Sequence, residues 1–182
     1  LLPQTAHIAG GRILVDGADI TDYREREMEK LRGNVFSMVF QDPMTSLNPT
    51  ICVGEQIAES VRLCRGLGKK AAAAEAVKLM EQVGIPQAKE RYRQMPHHFS
   101  GGMRQRVAIA AALAGEPDIL LADEPTTALD IGVQEQILAL LKRIQEERGN
   151  TIVFIMHDLG LARNLADRTA VMQGGRIVES GD

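Results

Sequence analysis

The last third of the chain alternates short apolar runs with helix-length segments, and this alternation most constrains the fold. The apolar run at 119–122 ends at Asp123, and the β-branched run at 151–156 ends at His157. Between them, residues 133–147 have the length and periodicity of an amphipathic helix. Strands that alternate with helices form parallel pairs, so the pattern predicts an α/β fold with a parallel, doubly wound sheet.

Weaker signals of the same kind come earlier in the chain and at its end. Strands are also predicted at 11–17 (followed by a turn), 35–40 (buried), 169–172 and 176–178, and helices at 24–31, 53–65, 69–83, 103–114 and 159–166. The stretch from about 47 to 95 is predicted to be helical only. We therefore predict three parts. These are a partial, β-rich core at 1–46, an inserted helical subdomain at 47–95 and the rest of the core at 96–182.

The composition is that of a globular protein of about one domain. Of 182 residues, 45% are apolar and 25% charged, and the net charge is −3. That charge, with only 3% aromatic residues, argues against a nucleic-acid partner. Two cysteines, Cys52 and Cys64, are too few for a disulfide framework and favour a reduced, cytoplasmic chain. No membrane-spanning run or signal peptide is visible, and the missing initiator Met suggests a longer protein.

Polar side chains directly follow three of the predicted strands. Asp123 and Glu124 end one strand, Gln41 follows another and His157 a third. Ligands of open α/β sheets bind at the carboxyl ends of strands. There, an aspartate can hold Mg²⁺ and a glutamate can deprotonate a water molecule. The simpler alternatives are a turn at Asp123, a solvated Gln41 and a structural His157.

A second candidate site precedes the helix predicted near Met103. Ser100 is a natural N-cap, and the glycines Gly101 and Gly102 allow backbone N–H groups to converge on a phosphate. A capped helix start without a ligand is the alternative. Arg104 and Arg106 follow on this helix, where they either support phosphate binding or pair with nearby carboxylates.

The order and spacing of these residues resemble ATP-binding cassette (ABC) ATPases. The matching motifs are Gln41-Asp42-Pro43 (Q-loop), Ser100-Gly101-Gly102 (signature), residues 120–124 (Walker B with its glutamate), Ala128-Leu129-Asp130 (D-loop) and His157 (switch histidine). Within this family, residues 40–49 resemble the nucleotide-binding subunits of dipeptide and oligopeptide importers. Nickel and glutathione importers share much of this pattern, so the cargo stays open.

This resemblance implies a parallel-sheet ABC ATPase core with an inserted helical subdomain, acting on ATP with Mg²⁺. It implies that Glu124 and His157 are catalytic and that Asp123 and Gln41 hold the metal. It assigns nucleotide binding to Gln41, Ser100, Gly101, Gly102, Asp123 and Asp130. The implied partners are a second ABC ATPase subunit, identical or paralogous, membrane permease subunits and, indirectly, a periplasmic or extracellular solute-binding protein. The implied location is peripheral, on the cytoplasmic face of the cell (inner) membrane.

The phosphate loop, G-x-x-x-x-G-K-[ST], is absent from these 182 residues. The Gly68-Lys69 pair is followed by Lys70 and lies in the helical stretch. The resemblance places that loop just upstream of Leu1, in an N-terminally truncated fold. We therefore expect ATPase activity from the intact protein and none from this chain alone. Two alternatives remain, which are a non-transport ABC ATPase acting on DNA and a non-catalytic module that contributes only its signature loop to a partner.

Overall fold

The structure, a computed structural model, describes residues 8–127 and 129–182, without the side chain of Met44. It divides into two compact units, the first ending at Arg32 and the second comprising Gly33–Asp182. The subdomain boundaries at 46/47 and 95/96 stay predictions, and residues 1–7 of the first predicted part lie outside the described residues.

The first unit contains a hairpin and a short helix. Strands β1 (Leu14–Val15) and β2 (Ala18–Asp19) pair antiparallel across a turn at Asp16 and Gly17, both of which have positive φ. Helix α1 (Glu25–Leu31) starts with a capping box, in which the backbone N–H of Arg24 donates to the Glu27 carboxylate at 2.9 Å. The predicted turn and charged helix are therefore confirmed. The strand predicted within 11–17 covers only Leu14–Val15, and β2 had not been predicted.

A three-stranded parallel sheet organises the second unit. Its order is β3 (Phe36–Val39), β4 (Ile119–Asp123) and β5 (Thr151–Ile155), with β4 in the centre. Val39 lies opposite Ala122, and Asp123 lies opposite Ile155. The carboxyl ends of the three strands therefore meet at one edge, and the predicted α/β fold with a parallel sheet is confirmed.

The remaining elements of this unit are helices and a terminal hairpin. They are α2 (Pro43–Ser46), α3 (Val53–Arg65), α4 (Lys69–Gln82), α5 (Ala88–Arg91), α6 (Gly101–Ala112), α7 (Ile131–Arg148), α8 (Leu159–Leu165), β6 (Thr169–Gln173) and β7 (Arg176–Gly181). Between β3 and β4 the described residues form helices and no strand, as the helical-only stretch predicts. Helices α3 and α4 share one apolar core with α6, α7 and β4, through side chains such as Ile57, Leu79, Ile109, Leu120 and Ile137.

Strand β7 is longer than predicted and helices α2 and α5 were not predicted, and two helix starts and the burial of one strand also differ from the sequence-based predictions. Helix α6 begins at Gly101 and α7 at Ile131, each two residues early, because the side chains of Ser100 and Asp130 accept hydrogen bonds from backbone N–H groups of the first turn. Strand β3 was predicted to be buried, yet only its last residue, Val39, is. Its position at the edge of the described sheet leaves one side open.

The start of α3 is held by the backbone of a distant segment. The N–H groups of Val53 and Gly54 donate to the carbonyl oxygens of Gln94 and Tyr92, at 2.9 and 3.0 Å. The Tyr92 hydroxyl donates to Oε2 of Glu55 at 3.1 Å. Burial, together with this bond to a carboxylate, raises the pKa of Tyr92 to about 12.

This raised pKa predicts an alkaline loss of stability. The unfolded chain releases the Tyr92 proton near pH 10, its ordinary value, and the folded chain near 12. Between these values the unfolded state binds fewer protons, so the free energy of unfolding falls as pH rises. The contribution is complete below about pH 10 and absent above about 12. Denaturant titrations across this window should show a shallower fall for Tyr92→Phe, and equal slopes would contradict the prediction.

A close backbone approach at Gly115 predicts a second stability effect. A Cβ atom there would overlap the carbonyl oxygen of Gly33 and lie 3.1 Å from Cβ of Cys64. Overpacking of this kind costs about 1–3 kcal/mol, so Gly115→Ala should lower the free energy of unfolding by that amount. Gly132→Ala is the matched control, because its Cβ would meet nothing closer than 3.8 Å. Equal unfolding midpoints for the two variants would contradict the prediction.

Candidate functional site

Glu124 sits where the chain leaves the central strand. Its backbone N–H donates to the carbonyl of Ile155 at 2.9 Å, so it still pairs with β5. Its φ of +43° lies in the left-handed region, which costs a non-glycine residue about 1–2 kcal/mol. This bend ends the strand and leaves the carboxylate, which is 27% exposed, at the carboxyl edge of the sheet.

Three predicted site residues meet at this carboxylate. The side-chain nitrogen of Gln41 donates to Oε2 of Glu124 at 2.8 Å. Nδ1 of His157 lies 3.5 Å from Oε1. The structure thus brings together the residues that follow β3, β4 and β5, as expected from parallel strands. An open cavity of about 150 Å³ adjoins Glu124 and His157, and it is lined by residues 124–127 and 156–158 with Gln134 and Leu161.

The edge offers oxygen atoms suited to a hard divalent cation. Asp123 is the last residue of β4 and is half-buried. Gln41 uses its amide nitrogen for the bond to Glu124, which leaves its carbonyl oxygen for a cation. Two protein oxygens suit Mg²⁺, which keeps several waters and takes further oxygens from phosphates. Among the described residues, no group of three His, Cys, Asp or Glu side chains could hold a metal by itself.

The signature-like loop, which comprises Ser100, Gly101 and Gly102, forms a second cluster with the start of α7. Ser100 accepts a hydrogen bond from the backbone N–H of Met103 at 3.4 Å, and Asp130 accepts one from Val133 at 3.1 Å. A Cβ on Gly102 would lie 2.5 Å from Cγ1 of Val133, so only glycine fits this approach. A Cβ on Gly101 would lie 3.4 Å from Cδ2 of Leu129, so this glycine also borders the predicted D-loop.

The two clusters use different hydrogen-bonding groups. Ser100 and Asp130 accept from backbone N–H groups at the starts of their own helices, whereas Gln41 and Thr127 donate to the Glu124 carboxylate. Ala128, the remaining residue of the predicted D-loop, lies outside the described residues.

Sequence reasoning missed two residues of the site, Thr127 and Gln134. The Thr127 hydroxyl donates to Oε2 of Glu124 at 2.8 Å. The side-chain nitrogen of Gln134 donates to the carbonyl oxygens of Thr126 and Leu129, at 3.1 and 3.0 Å. The sequence did carry one signal for Thr127, which is a hydroxyl residue three positions after the carboxylate that ends a strand. A tight turn brings its fourth residue back beside its first, so these two side chains can meet.

The arginines after the signature-like loop hold backbone carbonyl groups. Nε of Arg104 donates to the carbonyl of Pro96 at 2.8 Å. Arg106 donates to the carbonyl of Val83, at the end of α4, and to Oε1 of Gln136 on α7. The expected pairing with a carboxylate is thus replaced at Arg106 by bonds that tie three helices together.

Comparison with known proteins gives concordant matches. Residues 1–127 match the family model described as ABC transporter. The chain is 54% identical over 171 residues to the oligopeptide transport ATP-binding protein OppD of Bacillus subtilis, covering 94% of this chain and 48% of that protein. It is 50% identical over 181 residues to the dipeptide transport ATP-binding protein DppD of the same organism, covering 100% and 54%. The chain thus spans about half the length of the curated relatives it matches.

A solved structure agrees with the fold. A dimeric post-hydrolysis state of the ATP-binding cassette MJ0796, bound to ADP and Pi, superimposes with a TM-score of 0.83 at 30% identity. The match covers 97% of this chain and 75% of that one. In the described part of this chain, no helix has both the length and the apolar character needed to cross a bilayer.

The contact between Gly102 and Val133 predicts a compensating pair of substitutions. Gly102→Ala should lower the free energy of unfolding by about 1–3 kcal/mol, because valine is stiff at χ1 and cannot easily turn away. In a Val133→Ala background the same substitution should cost much less, since the methyl group it meets is gone. Chemical denaturation of the four proteins measures this coupling. Additive effects would contradict the packing described.

Proposed function

This chain belongs to the ABC transporter family, and from that premise we propose that it forms part of the ATP-hydrolysing subunit of a peptide importer. The observation that carries the proposal is the convergence of Gln41 and His157 on the carboxylate of Glu124. The peptide-transport names of relatives at 54% and 50% identity support peptides as the cargo class.

In the proposed reaction, Glu124 is the general base. A water oxygen bonds to the γ-phosphorus of ATP while the bond from that phosphorus to the β,γ-bridging oxygen breaks, and ADP leaves with the bridging oxygen. The water proton passes to the Glu124 carboxylate. His157, exposed at the rim of the cavity, donates a hydrogen bond to the γ-phosphate. Catalysis of this kind is mainly positioning and charge neutralisation.

Asp123 and the carbonyl oxygen of Gln41 would hold Mg²⁺, which supplies positive charge to the β- and γ-phosphates. The amide nitrogen of Gln41 donates to Glu124 in this structure, and its carbonyl oxygen is the atom that would hold the cation. One side chain would then link the cation to the base, which makes Gln41 a sensor of the bound nucleotide at the start of the segment leading into the helices.

The signature-like loop serves a second subunit in this proposal. Ser100, Gly101 and Gly102 bind the nucleotide held by a second ABC ATPase subunit, and Asp130 acts at the same interface. The match to a dimeric ATP-binding cassette bound to ADP and Pi supports that arrangement. The second subunit is either identical to this one or a paralogue, and purification with and without the paralogue distinguishes the two.

The helices of residues 47–95, as an inserted subdomain between the core parts 1–46 and 96–182, would dock on membrane permease subunits. The protein would then lie peripherally on the cytoplasmic face of the membrane. A periplasmic or extracellular solute-binding protein would deliver the peptide to the permease. No nucleic-acid partner is proposed, in keeping with the net charge of −3.

The proposal predicts the effect of removing the base. In the complete protein, Glu124→Gln should lower kcat for ATP hydrolysis by about 10²–10⁴-fold, the usual contribution of a general base. ATP binding should persist, because the change keeps the size of the side chain. Phosphate release and nucleotide binding measure the two quantities, and Glu146→Gln, an exposed position on α7, is the matched control.

Unchanged hydrolysis by the Glu124→Gln protein would contradict the assignment of the base. If the complete protein hydrolyses no ATP alone but Glu124→Gln leaves a mixed dimer fully active, the non-catalytic module gains support. Subunits purified with and without a paralogue distinguish a homodimer from a heterodimer.

A further inference from the structure

The two oxygens of the Glu124 carboxylate have different surroundings. Oε2 accepts two hydrogen bonds of 2.8 Å, one from Gln41 and one from the Thr127 hydroxyl. Oε1 faces Nδ1 of His157 at 3.5 Å, beside the cavity. These two donors already use the acceptor positions of Oε2. Oε1 is therefore the oxygen left to accept a proton, and it is the one nearer His157.

The position of Thr127 is built into the loop. Its backbone N–H bonds to the Glu124 carbonyl at 3.3 Å, which closes the turn. On its other side, the N–H of Leu129 donates to the Thr126 carbonyl at 3.0 Å. The Gln134 amide then spans the carbonyls of Thr126 and Leu129, fastening the loop to α7. The hydroxyl is thus fixed relative to the carboxylate by the fold.

Of the two donors to Oε2, only Thr127 is independent of the nucleotide. Gln41 comes from another strand end, 83 residues away, and its side chain also holds the cation in the proposed reaction. Thr127 shares a four-residue turn with Glu124, so no movement of the β3 end breaks its bond. If Gln41 shifts with the cation, the bond from Thr127 still keeps the carboxylate from rotating.

From this geometry we infer that Thr127 is a positioning residue, which holds Oε2 of Glu124 so that Oε1 accepts the proton of the attacking water. The inference rests on the proposed role of Glu124 as the general base and adds a residue outside the resemblance-derived site. Thr127 itself touches neither the water nor the phosphate in this mechanism. It acts through the orientation of the carboxylate, which decides which of the two oxygens faces the attacking water.

The test uses the complete protein with two substitutions at one position. Thr127→Val keeps the shape and loses the hydroxyl, while Thr127→Ser keeps the hydroxyl. We expect Thr127→Val to lower kcat by about 10–100-fold, as is usual for loss of a supporting hydrogen bond, with KM for ATP unchanged. Thr127→Ser should recover most of the turnover. Thr151→Val, the same change at an exposed position at the opposite end of β5, should leave turnover unchanged.

A double-mutant cycle with Glu124→Gln separates positioning from a structural role. If Thr127 acts through the carboxylate, Thr127→Val should slow the Glu124→Gln protein no further. Wild-type kcat for Thr127→Val, a Thr127→Ser protein as slow as Thr127→Val, or an additional loss in the Glu124→Gln background would each overturn the inference. Thr127→Ala provides a second hydroxyl-free variant, and thermal unfolding of each protein checks its folding.

The same data distinguish this inference from the proposed function. Wild-type turnover of the Glu124→Gln protein would overturn the function of Glu124 and the role of Thr127 together. Strong loss on Glu124→Gln with none on Thr127→Val would overturn only the role of Thr127.

Discussion

The parallel register of β3, β4 and β5 is the constraint on which the site depends. Val39 lies opposite Ala122, and Ala122 lies opposite Phe154, so the three strands end at one edge of the sheet. Gln41 and Glu124, 83 residues apart, can share a hydrogen bond only because of this pairing. A shift of one residue would move the strand ends apart by about 3.3 Å and reverse the face of each side chain.

Local strain at the strand end is held in place by polar contacts. The left-handed backbone of Glu124 is unfavourable for this residue type, yet its N–H still bonds to β5 and its carboxylate accepts bonds from Gln41 and Thr127. The loop that follows is fastened by Gln134. Strain that the surroundings maintain in this way is typical of functional positions, where it pre-organises a side chain. The carboxylate is therefore oriented before any ligand arrives.

Much of the fold could be predicted from local pattern. The bounds of α3 agree with its apolar periodicity, and β4 and β5 end within one residue of the predicted positions. The starts of α6 and α7 were predicted too late, because Ser100 and Asp130 extend the helices beyond the apolar pattern. The burial of β3 was overestimated, because an apolar run shows that a strand can be buried but not what covers it. The contact between Gly102 and Val133 had no local signal.

The sequence by itself determined the residue types at the strand ends, the parallel α/β character and the order of motifs that places the chain in its family. These properties are local, since periodicity and composition act over a few residues. The tertiary structure alone decided which atoms meet. It placed Thr127 and Gln41 on the same oxygen of Glu124, left the other oxygen facing His157, and set Gly102 against α7. Such contacts depend on strand register and loop closure, which bring together groups whose separation along the chain carries no information about their distance in space.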